Sequence, residues 1–197
     1  MLGSITPLGE RSRDRRWGST VTAYVAGSAF AGLVVGALLG ALGRVVGAGL
    51  TTTARLSVLA LVVAVGLAAD LHMGGLRLPS VHRQVNEEWM VRYRGWVYGL
   101  GFGLQLGTGV VTVVTTSAVY AMWVAALLSG SMQAGALVGL TFGVVRAATV
   151  FAVAGVRRPD QLGRVDVALR RWDARTRRVA LGAGALVGVA LTAGAVR

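Results

Sequence analysis

GWVYGLGFGLQLGTG, Gly95 to Gly109, carries six glycines in fifteen residues at the head of a long apolar block. In water, glycine costs a helix about 1 kcal/mol relative to alanine. In lipid the balance differs, because there is little hydrophobic force between helices and small residues let their backbones approach closely. Gly95, Gly99, Gly103 and Gly107 recur every four residues, which puts them on one ridge of a helix. The same spacing appears in Gly32, Gly36 and Gly40, in Gly135, Gly139 and Gly143, and in the pair Gly184 and Gly188. The pattern predicts a tightly packed bundle of membrane helices.

Composition agrees. Of 197 residues, 54% are hydrophobic and 14% charged, with a mean hydropathy of +0.65. Soluble domains average about 25% charged residues. The apolar residues fall in uninterrupted blocks, and blocks of about 18 or more without charge read as membrane spans. Five are predicted, at about 19–42, 55–74, 95–123, 133–156 and 179–196. The first follows RSRDRRW (Arg11–Trp17) and exceeds a signal-peptide core of about 7–15 residues, so it reads as an uncleaved anchor. The third is bounded by aromatic pairs, Trp96 with Tyr98 and Tyr120 with Trp123. Trp96 to Trp123 is about 40 Å as one helix, matching two interfacial aromatic belts. The residues after Trp123 then form an outer turn.

Arginine supplies all twenty basic residues, and the formal net charge is +12. Sixteen arginines fall on one side of the predicted topology, in the tail before span one and in the segments before spans three and five. Only Arg44, Arg55 and Arg197 fall on the other. The positive-inside rule then puts the N-terminus in the cytoplasm and the C-terminus outside, in a multi-pass protein of the inner membrane. This distribution fits anionic lipid headgroups and excludes a nucleic-acid partner.

The three prolines, Pro7, Pro79 and Pro159, each have glycine four residues before them and Asp or Asn seven after. One integral membrane domain over 1–197 is therefore expected, in repeat units of about 3–74, 75–154 and 155–197. Each unit has a basic amphipathic interfacial segment and spans arranged 2+2+1. The missing sixth span leaves an incomplete face, favouring a homo-oligomer or a membrane-protein partner.

Few residues carry chemistry. Cysteine is absent, and His72 and His82 lack a ligand cluster, so no metal, cofactor or thiol chemistry is expected. No paired carboxylates, nucleophile triad or phosphate loop is present, so no catalytic residue is assigned. Arg146 stands out, about ten residues inside span four. Such an arginine costs about 2.5–3.5 kcal/mol to insert and marks function by default. It pairs with Asp70 and helix carbonyls as a lock, binds an anionic solute, or snorkels to headgroups. Gln105, Thr108 and Thr112 lie away from the glycine ridge of span three, either lining a polar pathway or bonding their own helix carbonyls.

The stretch GFGLQLGTGVVTVVTT (101–116), the small size and the internal repeat resemble small polytopic transporters of the LysE and cytochrome c biogenesis (CcdA-like) group. The resemblance implies a transport scaffold. It does not carry over electron transfer through a membrane cysteine pair, since this chain has none, and inverted three-span halves differ from the two-span repeat. The residues together point to a small transporter or channel-like protein for an anionic solute, with Arg146, Gln105, Thr108, Thr112 and Asp70 as its polar centre. The alternative is a non-catalytic scaffold or accessory subunit of a larger membrane complex.

Overall fold

The computed structural model describes residues 6–70, 93–109, 118–156 and Gly182. The described residues form helices without strands, and three of these are long and apolar enough to cross a bilayer: Trp17–Val46, Thr52–Asp70 and Met132–Val153. The chain is an all-α membrane protein.

A short helix α1 (Pro7–Arg11) comes first, with Pro7 at its start and Thr6 as its cap, the Thr6 hydroxyl accepting from the Gly9 amide at 3.0 Å. Proline's fixed φ suits this position, where its missing N–H costs nothing. A turn through Asp14, at φ 54°, leads into α2 (Trp17–Val46). At 30 residues, α2 is about 45 Å long and is the axis of the bundle. α3 (Thr52–Asp70) returns and packs on α5 (Ala118–Leu128). α4 (Gly95–Thr108) and α6 (Met132–Ala148) both pack along α2, and α6 runs on into a 3₁₀ turn at Thr149–Val153.

The glycines lie at both α2 seams. Gly32, Gly36 and Gly40 of α2 meet Gly139, Gly135 and Ser131 at the α6 seam, in antiparallel order. A Cβ on Gly36 would run into the Gly135 carbonyl oxygen, and one on Gly139 into that of Gly32. On the other seam Gly99, Gly103 and Gly107 of α4 face Thr20, Tyr24 and Ser28 of α2, so these two helices run parallel. Here only α4 contributes a row of glycines, apart from Gly27, whose added Cβ would lie 2.6 Å from the Leu100 carbonyl oxygen. Ser28 joins all three helices. Its hydroxyl donates to the Gly143 carbonyl at 2.8 Å, and its own carbonyl lies against Gly107 and Gly143.

The predicted span 95–123 is not one helix. α4 ends at Thr108 because Gly109 takes a left-handed conformation, φ 72°, and its amide bonds the Leu106 carbonyl at 3.1 Å. Glycine adopts this conformation without the Cβ penalty, which makes it a common helix stop. Helix resumes by Ala118 and continues past Trp123 to Leu128, where an outer turn had been expected. α4, 14 residues long, reaches only about 21 Å, short of the roughly 30 Å hydrocarbon core. The aromatic belt also needs correcting at one point: Trp96 is exposed, but Tyr98 is fully buried. The predicted fifth span, Pro79, Pro159 and the two later basic segments lie outside the described residues, apart from Gly182.

Candidate functional site

Among the described residues, Glu10, the last residue but one of α1, is a carboxylic side chain with no solvent exposure. Three elements converge on its carboxylate. Thr20, in the first turn of α2, donates its hydroxyl to Oε2 at 2.7 Å. Tyr98, in the first turn of α4, donates its hydroxyl to Oε1. Arg13 reaches Oε1 at 3.4 Å and remains about a third exposed. Gly95, the first residue of α4, leaves space for this approach, since a Cβ there would come within 3.2 Å of Oε2. A carboxylate at the start of two helices also meets the positive ends of their dipoles. Arg15 lies over the Tyr98 ring at 5.6 Å from its centroid, and the Leu8 amide bonds the Val156 carbonyl at 3.2 Å. The N-terminal segment therefore straps the base of α2, α4 and the α6 extension. Beneath it, Val21, Tyr24, Tyr98, Phe102, Ala147 and Val150 form the apolar core.

Glu10 escaped the sequence reading, which treated residues 11–17 as a basic flank. Its signals were present but local: a Thr6-Pro7 helix start and an arginine three residues on.

The residues singled out from sequence are placed in separate settings. Arg146 is half-buried in the last turn of α6, where a cation suits the helix C-terminus. Its guanidinium lies 5.5 Å from the centroid of the Phe142 ring and interacts electrostatically with buried Tyr24. Gln105 and Thr108 come together in a different place. They line a groove of about 330 Å³ between α2 and α4, with Phe30, Val34 and Leu104 among its walls. Arg146 is not part of that lining. The Thr108 hydroxyl donates to the Gln105 carbonyl at 2.8 Å, a bond within its own helix. Asp70 ends α3, on the α5 side of the bundle. Thr112 lies outside the described residues.

One further polar tie lies at the far end of the bundle. Arg55 of α3 donates from Nη2 to the Gly47 carbonyl at 2.8 Å and from Nη1 to the Leu128 carbonyl at 3.2 Å. It closes the C-terminal ends of α2 and α5 with one guanidinium.

Comparison with known proteins gives a consistent relationship. The chain is 33% identical over 144 residues to the methylamine utilization protein MauF of Paracoccus versutus, covering 71% of this chain and 52% of that protein. It is 34% identical to MauF of Paracoccus denitrificans over 182 residues, 90% of this chain and 62% of that protein. With MauF of Methylorubrum extorquens the identity is 30%, covering 98% of this chain and 64% of the relative. The chain thus spans between half and two thirds of the length of these relatives. No family model matches it, and no solved structure does. The relatives correct the resemblance to LysE and CcdA-like transporters: glycine-rich spans are a packing device common to many membrane proteins, and they carried that resemblance without a diagnostic motif.

Proposed function

We propose that this chain is a non-catalytic accessory membrane protein for methylamine utilization, acting beside a membrane-protein partner. The observation that carries this reading is the similarity to MauF proteins, which extends over 71–98% of the chain in three of them. The packing supports it. Backbone-to-backbone glycine contacts fill both seams of α2, a construction suited to a rigid body. The charge in α6 is also wrong for carrying methylamine itself, which is protonated at neutral pH. A cation near Arg146 in a low-dielectric interior would be repelled. In this reading the chain lies in the inner membrane with its N-terminus cytoplasmic and its C-terminus outside, its basic flanks on anionic headgroups.

The test is deletion of the gene in its own host, with growth on methylamine and uptake of labelled methylamine followed together. The expected result is lost growth on methylamine with undiminished uptake and normal growth on other nitrogen sources. Normal growth on methylamine would remove the accessory role, and lost uptake would replace it with a carrier.

A second reading has one observation in its favour, the half-buried guanidinium of Arg146 inside α6. There the protein passes a small anion along Arg146. Arg146→Ala leaving anion flux intact in proteoliposomes would end that reading.

A further inference from the structure

The starts of α2 and α4 lie side by side at the base of the bundle. A Cβ on Gly95 would lie 2.6 Å from the Thr20 hydroxyl and 3.5 Å from Arg15 Cδ. Arg11, Arg13, Arg15, Arg16 and Arg94 gather at this base against two acids, Asp14 and the enclosed Glu10. Arg16 and Arg94, the residues just before the two helices, are both exposed. From Arg16 the surface of α2 leads down to Phe30 through the i, i+4 row Gly18, Thr22 and Ala26, all exposed. A Cβ on Gly18 would meet nothing within 4 Å, so the small residues of this row leave a low path. The facing row of α4 is Trp96 and Leu100, 53% and 37% exposed. The path ends in the recess of about 330 Å³ between Phe30, Val34 and Leu104, which exposes only apolar surface. Leu104 lies about 14 Å along α4 from Gly95, within the roughly 15 Å of hydrocarbon in one leaflet.

We propose that the head of the α2–α4 seam binds one anionic phospholipid, its phosphate on Arg16 and Arg94 and an acyl chain in the recess below. Charge and polarity select this occupant together. The basic head attracts a phosphate, and guanidinium groups hold phosphate oxygens through paired N–H donors. The recess beneath offers a polar ligand nothing to bond, whereas a hydrocarbon chain occupies it at no cost in polar contacts. Trp96 stands between the two, at the level where an indole suits the boundary of headgroup and hydrocarbon. A free phosphate would satisfy the arginines and leave the recess empty, and an acidic protein segment would not enter it. Basic pockets between membrane helices take anionic headgroups for the same reasons. The site rests on the membrane placement proposed above, with this base at a headgroup surface. It is independent of the accessory role, which growth on methylamine tests separately.

The test titrates the full chain, purified in dodecyl maltoside and stripped of lipid, with phosphatidylglycerol, phosphatidylcholine or inorganic phosphate. Bound lipid is counted by native mass spectrometry. One phosphatidylglycerol is expected to bind more tightly than phosphatidylcholine, and inorganic phosphate is expected not to displace it. Arg16→Ala and Arg94→Ala are each expected to weaken phosphatidylglycerol about fivefold, with little change for phosphatidylcholine. Arg44→Ala, which removes an exposed arginine at the far end of α2, is expected to change neither. Ala26→Phe, which blocks the path between head and recess, is expected to weaken both lipids. Should one arginine variant fail to accumulate, the other is read in the same way. The proposal is overturned by equal affinity for the two lipids, by an equal loss in Arg44→Ala, or by arginine variants that bind as the wild type does. It is likewise overturned by Ala26→Phe without effect, by inorganic phosphate competing at the lipid's own concentration, or by an acidic protein bound in place of the lipid.

Discussion

The two ends of the bundle are closed by opposite charges acting on opposite helix ends. At the base, the Glu10 carboxylate accepts from Thr20 and Tyr98 at the starts of α2 and α4. At the far end, the Arg55 guanidinium donates to the carbonyls of Gly47 and Leu128, where α2 and α5 finish. Each choice follows from the helix itself, which presents unsatisfied N–H groups and positive potential at its start, and C=O groups and negative potential at its end. The environments differ. Glu10 is fully enclosed and bonds side chains, whereas Arg55 is only partly buried and bonds backbone carbonyls within reach of water. The lesson is that burial, more than the number of hydrogen bonds, sets the strength of a tie: the enclosed one leaves its partners stranded when it is removed.

That difference can be broken by measurement. The largest effect is expected from Glu10→Ala, which strands two hydroxyls and loses a charged acceptor. Unfolding in detergent should become easier by about 3 kcal/mol, accompanied by faster tryptic cleavage at Arg11 and Arg13 as the strap releases. Unchanged cleavage would mean that α1 is held by something other than this carboxylate. Arg55→Ala removes two charge-assisted bonds, but water or headgroups can reach the freed carbonyls. Its cost is expected to be about 1.5 kcal/mol in the same assay, with the base still protected from trypsin. An Arg55→Ala loss equal to that of Glu10→Ala would erase the distinction between the ends. The smallest change is Tyr98→Phe, which keeps the ring in the core and deletes one donor. About 1 kcal/mol is expected, with the Arg15 contact over the ring retained. A larger loss would show that the tyrosine hydroxyl, not the threonine, carries the base.

The long apolar blocks gave the class directly, because twenty-residue runs without charge have no other stable setting. α2, α3 and α6 fall within a few residues of the spans read from hydropathy. The interruption of span three was harder to read. Gly109 is one glycine among many, and hydropathy cannot distinguish a glycine that packs from one whose φ of 72° stops a helix. Tyr98 looked like an interfacial aromatic for the same reason: its position in the sequence suits a belt, and only the approach of Glu10 from α1 turns it inward.

The polar residues divide in the same way. Arg146 and Gln105 were legible as anomalies, since charge and amide are rare in a span. Grouping them in one polar centre assumed that their helices turn the two side chains toward each other, and the sequence leaves that rotation undetermined. Gln105 turned to the α2–α4 groove, and Arg146 to Phe142 and Tyr24. Glu10 carried no such anomaly, standing in a charged flank where a solvated carboxylate is ordinary.

By itself, then, the sequence determined that this chain is a helical membrane protein, with glycine spaced in fours and charge gathered at the flanks, because these depend on composition and period alone. The tertiary structure decided which ridge meets which helix, where α4 stops, and which charge closes each end. Those outcomes depend on the rotation of each helix about its axis and on contacts between residues as far apart as Glu10 and Tyr98, and neither is written in any local stretch of the chain.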